Sequence, residues 1–441
     1  MHQPTRRSES VSDHRRGFLK TAGAATAALA AVPGLNIARA AHTAGSDVLR
    51  VGLVGCGGRG AGAAANALNA DPNCHIVALA DAFPDRLQGT LDNLKKRDPA
   101  RVTVDAAHCF VGLDCCERLL ASGVDVVLLA EPPHFRPRNL KAAIAAGKHV
   151  FCEKPVAVDP AGIRSVLETT EQAKQKNLNI VSGLCWRYDH GVRETMKRVL
   201  DGAIGDLVSM RLTYNTGELW HRGRQPDWTE MQYQVRNWYY FTWLSGDFNC
   251  EQHVHTLDKA LWAMHDTPPT RAWGLGGRQV RTDPKYGNIF DHHAVVYEYE
   301  GGPMVHSYCR QMGRCWGENA AIFLGTKGRA NILRHLIEGE NPWKFPGPKP
   351  PSMYDVEHQE LFAAIRSGKP INNGIYMAYS TMLAVLGRMT TYTGQLITWE
   401  QAMASKEELV PSAYTWDAKP PIVPDADGRY PIAIPGVTPV V

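Results

Sequence analysis

The apolar stretch Leu49-Arg50-Val51-Gly52-Leu53-Val54 runs directly into Gly55-Cys56-Gly57-Gly58-Arg59-Gly60 and then into an Ala-rich segment. Strand, glycine loop, helix is the order of a dinucleotide-binding unit. In such a unit the first glycine, Gly55, permits the tight turn and the second, Gly57, lets a pyrophosphate approach the backbone. The third, Gly60, allows the helix to pack closely on the strand. Gly58 and Arg59 complete the loop, and the free N–H groups at the helix N-terminus face the phosphates. The glycine pattern alone is common; a second strand, His75–Ala80, sharpens it by ending in Asp81, 21 residues after Gly60. A carboxylate there binds a ribose 2′-hydroxyl and repels a 2′-phosphate, so the expected cofactor is NAD rather than NADP. An aspartate in a surface turn is the alternative reading.

The alternation continues. Helices are expected over 84–96, 114–121 and 139–146, and strands over 108–111 and 125–130, before Lys148-His149-Val150-Phe151-Cys152-Glu153-Lys154-Pro155. This is the pattern of a Rossmann-type doubly wound α/β fold. Strand ends in that fold face the ligand crevice, which places Lys154 beside a bound nicotinamide.

The segments GLVGCGGRG, PPHFRP and AAGKHVFCEKPVA, with the later QHVHTLD run, resemble the glucose-fructose oxidoreductase / inositol dehydrogenase (Gfo/Idh/MocA) family over about residues 45–400. The resemblance implies a substrate-contacting Lys154 that tunes the catalytic base. Pro132, His134 and Glu153 are expected on the cofactor. It also implies a second, α+β domain with a large, mostly antiparallel open sheet that covers substrate and forms an oligomer interface, in a dimer or tetramer. His255 matches the catalytic histidine, and Glu251 stands where the family commonly has Asp. On a continuous helix starting near Glu251, positions i and i+4 share a face, so Glu251 would orient the His255 imidazole. An imidazole suits removal of a hydroxyl proton near neutral pH; a core or surface histidine is the alternative. Asp258 is expected to brace the helix. Glu251, His253 and His255 do not make a metal site, because i and i+2 point about 200° apart on a helix. No metal is expected.

The second half supports the same reading. Strands are expected over 180–183, 206–213, 294–299, 304–308 and 320–324, and helices over 191–200 and 375–393. The stretch Trp220–Asp247 is longer than ordinary connections and rich in aromatic residues and arginine. It suits either a carbohydrate subsite or a subunit-contact arm. Candidate substrate contacts are Arg187, Tyr188, Trp238, Trp243 and His253. The expected boundaries are 45–185 for the nucleotide domain, 186–410 for the second domain and 411–441 for a Pro-rich extended tail.

Residues 1–40 hold six basic and two acidic residues, which leaves the two signs equal beyond them. A neutral remainder argues against a nucleic-acid partner, which needs a net cationic surface. The order Arg15-Arg16-Gly17-Phe18-Leu19-Lys20, an Ala-rich run over Thr21–Val32 and Ala38-Arg39-Ala40 resembles a twin-arginine export signal cleaved after Ala40. The run is too short and weakly apolar to span a bilayer, which takes about 20 strongly apolar residues. The implied partner is the twin-arginine export machinery and the implied location periplasmic. The ten cysteines show no paired CxxC zinc pattern.

These features lead to an exported NAD-dependent oxidoreductase acting on a sugar, glycoside or polyol, with NAD tightly bound. A glycoside hydrolase that oxidises its substrate transiently, and a non-catalytic sensor or scaffold that retains NAD, are the competing readings.

Overall fold

The computed structural model describes residues 47–440, so the twin-arginine segment and its cleavage site lie outside the described residues. The first half alternates β1 (Leu49–Val54), α1 (Gly58–Ala70), β2 (Cys74–Asp81), α2 (Pro84–Arg97), β3 (Cys109–Val111), α3 (Cys115–Leu120), β4 (Val126–Leu129), α4 (Arg136–Ala145), β5 (His149–Cys152), α5 (Pro160–Gln175) and β6 (Ile180–Ser182). The strands form a parallel sheet in the order β3-β2-β1-β4-β5-β6. Every residue of β4 is buried, as a strand covered on both faces requires. The glycines act as their positions suggested: Gly55 turns at φ 91°, and a Cβ on Gly60 would stand 1.8 Å from the Gly55 carbonyl oxygen.

The second half comprises α6 (His190–Leu200), β7 (Leu207–Thr216), α7 (Glu230–Arg236), α8 (Thr242–Ser245), α9 (Phe248–Glu251), α10 (Val254–Ala263), β8 (Arg271–Gly277), β9 (His292–Glu298), β10 (Met304–Gln311), β11 (Glu318–Gly325), β12 (Gly328–Asn331), β13 (Leu336–Gly339), β14 (Trp343–Lys344), α11 (Met353–Ser367), α12 (Gly374–Thr393), β15 (Ile397–Thr398) and α13 (Trp399–Ala404). Its sheet runs β14-β13-β12-β11-β7-β10-β9-β8-β15. Only the β7–β10 pair is parallel. Along β10 the odd positions Val305, Ser307, Cys309 and Gln311 are buried, and Met304 and Tyr308 stand exposed. That alternation marks one packed face and one open face. Helix α12 lies against β8 and β9 on the packed side.

Three features depart from the sequence reading. The boundary at 185/186 is crossed a second time, because α11 returns to the nucleotide-binding half. There Asp355 takes hydrogen bonds from Asn66 and Asn69 on α1, Arg366 pairs with Asp71, and Asn372 bridges to Ile180 of β6. The stretch Trp220–Asp247 is not one open loop. It contains α7, started by a capping box between Thr229 and Gln232, and α8. Its Tyr233, Tyr239, Tyr240, Phe241 and Trp243 are buried together with Phe248 and Tyr286.

The single helix expected from Glu251 is two helices. Asp247, at φ 71°, caps α9 by accepting the Phe248 N–H at 2.5 Å. The Phe248 carbonyl then accepts the N–H groups of both Gln252 and His253, which closes α9 before α10 begins. Residues 405–440 contain no helix or strand and touch both halves. Tyr414 hydrogen-bonds His134 at 2.9 Å, Trp416 stacks on Phe83, and Tyr430 donates to Glu230.

Candidate active site

The carboxyl ends of β1, β2, β4, β5 and β6 open into a cavity of about 650 Å³. This is the crevice where doubly wound sheets bind ligands. The opposite wall carries Glu251 from the end of α9, His255 from the first turn of α10, and Trp220 and Trp238.

At one end Lys154, two residues beyond β5, donates from Nζ to the Glu251 main-chain carbonyl at 2.5 Å and to its carboxylate at 3.1 Å. The expected orientation of His255 by Glu251 is thereby corrected. The helix break turns the Glu251 carboxylate toward Lys154, and the His255 Nδ1 is buried with no partner among the described residues. Burial, reinforced by the nearby cations Lys154, Lys259 and Arg59, holds the imidazole well below its usual titration range. His255 is therefore held neutral, its Nδ1 lone pair or N–H left open toward the cavity side of the site. Asp258 braces α10 as expected, tied to Arg187 and to the Ser380 hydroxyl.

The glycine loop forms the floor. A Cβ added to Gly57 or Gly58 would meet nothing within 4 Å, so the cavity is open over this backbone, as a pyrophosphate cradle must be. Asp81 lines the cavity while accepting the N–H groups of Cys56 at 2.6 Å and Phe83 at 2.8 Å, bonds that leave further acceptor capacity for a ribose hydroxyl. Burial pushes its carboxyl up, partly offset by those two amides. The residues present thus fit an NAD-type dinucleotide.

Arg59 lies between two buried carboxylates, pairing with Glu153 and, at 2.9 Å, with Glu357 of α11. Burial opposes charge on Glu153, but Arg59 outweighs it and holds that group below the usual range. Burial beside Glu153 pushes Glu357 well up. Two carboxylates share one guanidinium, and the negative charge is favoured on Glu153 over Glu357.

Of the other residues singled out, Gly55, Gly57, Gly58, Arg59, Asp81, Pro132, Glu153, Lys154 and Trp238 line the cavity together with Glu251 and His255. Gly60 lies beneath the loop and serves packing. Five residues do not reach the cavity, and contact with ligand is corrected to a packing role for each. Arg187 is held by Asp258 and Asp266 and lies over the Tyr376 ring. The Tyr188 hydroxyl donates to Asn373, and Trp243 donates to Gln234. His253, fully buried, bonds the Ser307 hydroxyl at 2.7 Å. His134 is packed between Trp243 and Tyr414. A buried polar group needs a partner, and each of these found one in the core.

Sequence reasoning missed Glu131, Cys185, Arg236 and Tyr354 on the cavity wall. A signal existed for Glu131, a charged residue closing an apolar strand, the same mark that singled out Lys154. None existed for Tyr354, which arrives on the returning helix α11.

Comparison with known proteins agrees with this geometry. The family model GFO_IDH_MocA, an oxidoreductase family with an NAD-binding Rossmann fold, matches residues 49–180. The chain is 25% identical to 2,7-anhydro-N-acetylneuraminate hydratase of Escherichia coli strain K12 over 211 residues, 47% of this chain and 51% of that protein. It is 28% identical over 228 residues to a glycosyl hydrolase family 109 protein of Shewanella baltica strain OS185, 46% of each chain. The chain thus spans about half the length of the curated relatives it matches. The crystal structure of myo-inositol 2-dehydrogenase from Lactobacillus plantarum superposes with a TM-score of 0.62 at 18% identity, covering 80% of this chain and 99% of the other. That likeness concerns the fold.

Proposed function

We propose that the protein, whose residues 49–180 match the GFO_IDH_MocA oxidoreductase family model, oxidises or reduces a hydroxyl-bearing carbon of a sugar, glycoside or polyol. The observation that carries this reading is the meeting of Lys154, Glu251 and the neutral His255 on one cavity, at the end opposite the Asp81 ribose site. A bound nicotinamide dinucleotide supplies the hydride acceptor. Gly57 and Gly58 leave room for its phosphates, and Asp81 accepts from its ribose.

Lys154 donates a hydrogen bond to the substrate oxygen and stabilises the negative charge that develops there. His255 takes the hydroxyl proton through its unpartnered ring. Glu251 holds the Lys154 side chain in place. The test is to incubate the purified protein with a panel of sugars and polyols and follow reduced nicotinamide. Turnover of at least one substrate, lost in Lys154→Ala and His255→Ala, supports the reading; activity intact in both variants overturns it.

A second reading, a glycoside hydrolase that oxidises, eliminates, hydrates and reduces its substrate on the same site, is favoured by the similarity to a glycosyl hydrolase family 109 protein. An aryl glycoside separates the two. Release of the aryl group with no net reduced nicotinamide supports the hydrolase, and an accumulating keto-glycoside supports the dehydrogenase.

The order of Arg15-Arg16 and Ala38-Arg39-Ala40 supports export through the twin-arginine route, and cargo of that route folds first, which would let it carry NAD out already bound. Self-association as a dimer or tetramer is supported by the open sheet face, where Trp273, Leu275, Met304 and Tyr308 stand exposed.

A further inference from the structure

Strand β4 ends at Leu129, and two residues later Glu131 turns its side chain into the wall of the cavity. The residue is 6% exposed. One carboxyl oxygen accepts from Asn139 of α4 at 3.2 Å, and the other is buried with no hydrogen-bond partner among the described residues. The Glu131 main-chain carbonyl is taken by Arg136, so that guanidinium is anchored to backbone rather than to the free oxygen. A buried carboxyl oxygen without a donor is a standing penalty in the free protein, and a ligand donor entering the cavity removes it.

The surroundings narrow the ligand. Glu131 abuts the glycine turn, since a Cβ on Gly55 would lie 2.4 Å from the Glu131 nitrogen. Asp81 lines the same cavity from the end of β2, and Leu113, Cys115 and Cys116 contribute apolar wall. Cys115 lines the cavity together with both acids. A flat base attached to the ribose held by Asp81 finds an apolar surface in this wall and one unpartnered acceptor, Glu131.

We propose that Glu131 accepts a hydrogen bond from the 6-amino group of the cofactor's adenine and so selects an aminopurine dinucleotide. This rests on the NAD-dependent reading above. Burial pushes the Glu131 carboxyl up to about 7, opposed by Arg136, which shows how poorly the free protein solvates it.

The test exchanges the dinucleotide on the holoprotein against an equal mixture of NAD and nicotinamide hypoxanthine dinucleotide, which carries a 6-oxo acceptor in place of the amino donor. The bound fraction is quantified after denaturation. Measured at about pH 8.5, where a carboxyl lifted to about 7 is mostly ionised, the wild-type protein is expected to prefer NAD by about tenfold to a hundredfold, the range for a hydrogen bond to a charged group. Glu131→Ala should reduce the preference to about threefold or less. Glu131→Gln, whose amide can donate to a 6-oxo group, should shift binding toward the hypoxanthine form. Equal partition in the wild type, or an unchanged preference in Glu131→Ala, overturns the proposal. Binding of neither dinucleotide would remove the oxidoreductase reading as well, a result distinct from binding both equally.

Discussion

The Lys154 side-chain nitrogen donates to both the main-chain carbonyl and the carboxylate of Glu251, at 2.5 and 3.1 Å. The acid four residues before His255 therefore serves the lysine and leaves the imidazole free. Both partners are largely buried, with side chains 14% and 16% exposed, so the pair is shielded from the solvent that makes surface ion pairs weak.

Removing that anchor should separate positioning from binding. Glu251→Ala is expected to lower kcat by about tenfold to a hundredfold with KM nearly unchanged, and Glu251→Asp to recover part of the loss. Lys154→Ala should cost more, about a hundredfold to ten-thousandfold, because it removes the group that faces the developing charge. Steady-state kinetics with a pH profile on each variant checks both; an equal rise in KM alone would point to substrate binding instead.

The glycine loop allows a contrast between fold and ligand. Gly60→Ala would set a methyl 1.8 Å from the Gly55 carbonyl oxygen and should unfold the domain or prevent its accumulation. Gly57→Ala meets no protein atom, so the melting temperature of the dinucleotide-free protein should stay within a few degrees of the parent. The same methyl intrudes where the pyrophosphate lies, so bound NAD should fall sharply. Calorimetry and dinucleotide content on the two variants decide it.

Acid should destabilise the protein below neutrality. Burial holds the imidazoles of His134 and His253 down at about 3 and that of His358 at about 4, and keeps His255 well below its usual range. These groups stay neutral in the fold but protonate near pH 6.5 once unfolded. The unfolded state therefore binds more protons as pH falls. Their contribution is whole above about 6.5 and is lost on going down toward the folded values, at about 1.4 kcal/mol per pH unit for each histidine. Glu131, pushed up to about 7, and Glu357, pushed well up, take up protons in the fold over the same range and offset part of that loss, so urea midpoints at about pH 7 and about pH 5 should show a moderate net loss, and His253→Asn should make it shallower by one histidine's share.

Side chains of the second half and the tail pack against the nucleotide end of the cavity. Arg236 of α7 lies 3.7 Å from the Phe83 ring centroid and pairs with Asp85 at 2.7 and 2.8 Å, and Trp416 stacks on Phe83 at 5.1 Å. Phe83 lines the cavity two residues after Asp81. Arg236→Ala combined with Trp416→Ala should speed dinucleotide release about thirtyfold, given about 1 kcal/mol for the cation–π contact and a similar share for the stack. Single-turnover chemistry should stay unchanged. Following the loss of bound NAD into excess competitor measures the rate.

What the amino-acid sequence determined by itself was the part of the site carried by contiguous chain. Gly55 to Gly60, Asp81, Pro132 and Glu153-Lys154 each sit where a strand of the parallel sheet ends, and strand, turn and helix signals are local. His255 is placed on the cavity by the resemblance that the QHVHTLD run carries, with Asp258 three residues later fixing the register. What only the tertiary structure decided depends on contacts between distant segments. The sequence cannot show that Phe248 would close α9 and hand Glu251 to Lys154, nor that Arg187 would be taken by Asp258 and Asp266. It also gives no sign that Trp243, His134 and His253 would find partners in the core. Nor does it show α11 returning to supply Glu357 to Arg59 and Tyr354 to the cavity. An exposed aromatic and a buried one are written with the same letter, and burial is set by what packs against the residue. Glu131 lies between the two cases: its place at a strand end is legible, but its unpartnered oxygen appears only once the walls around it are assembled.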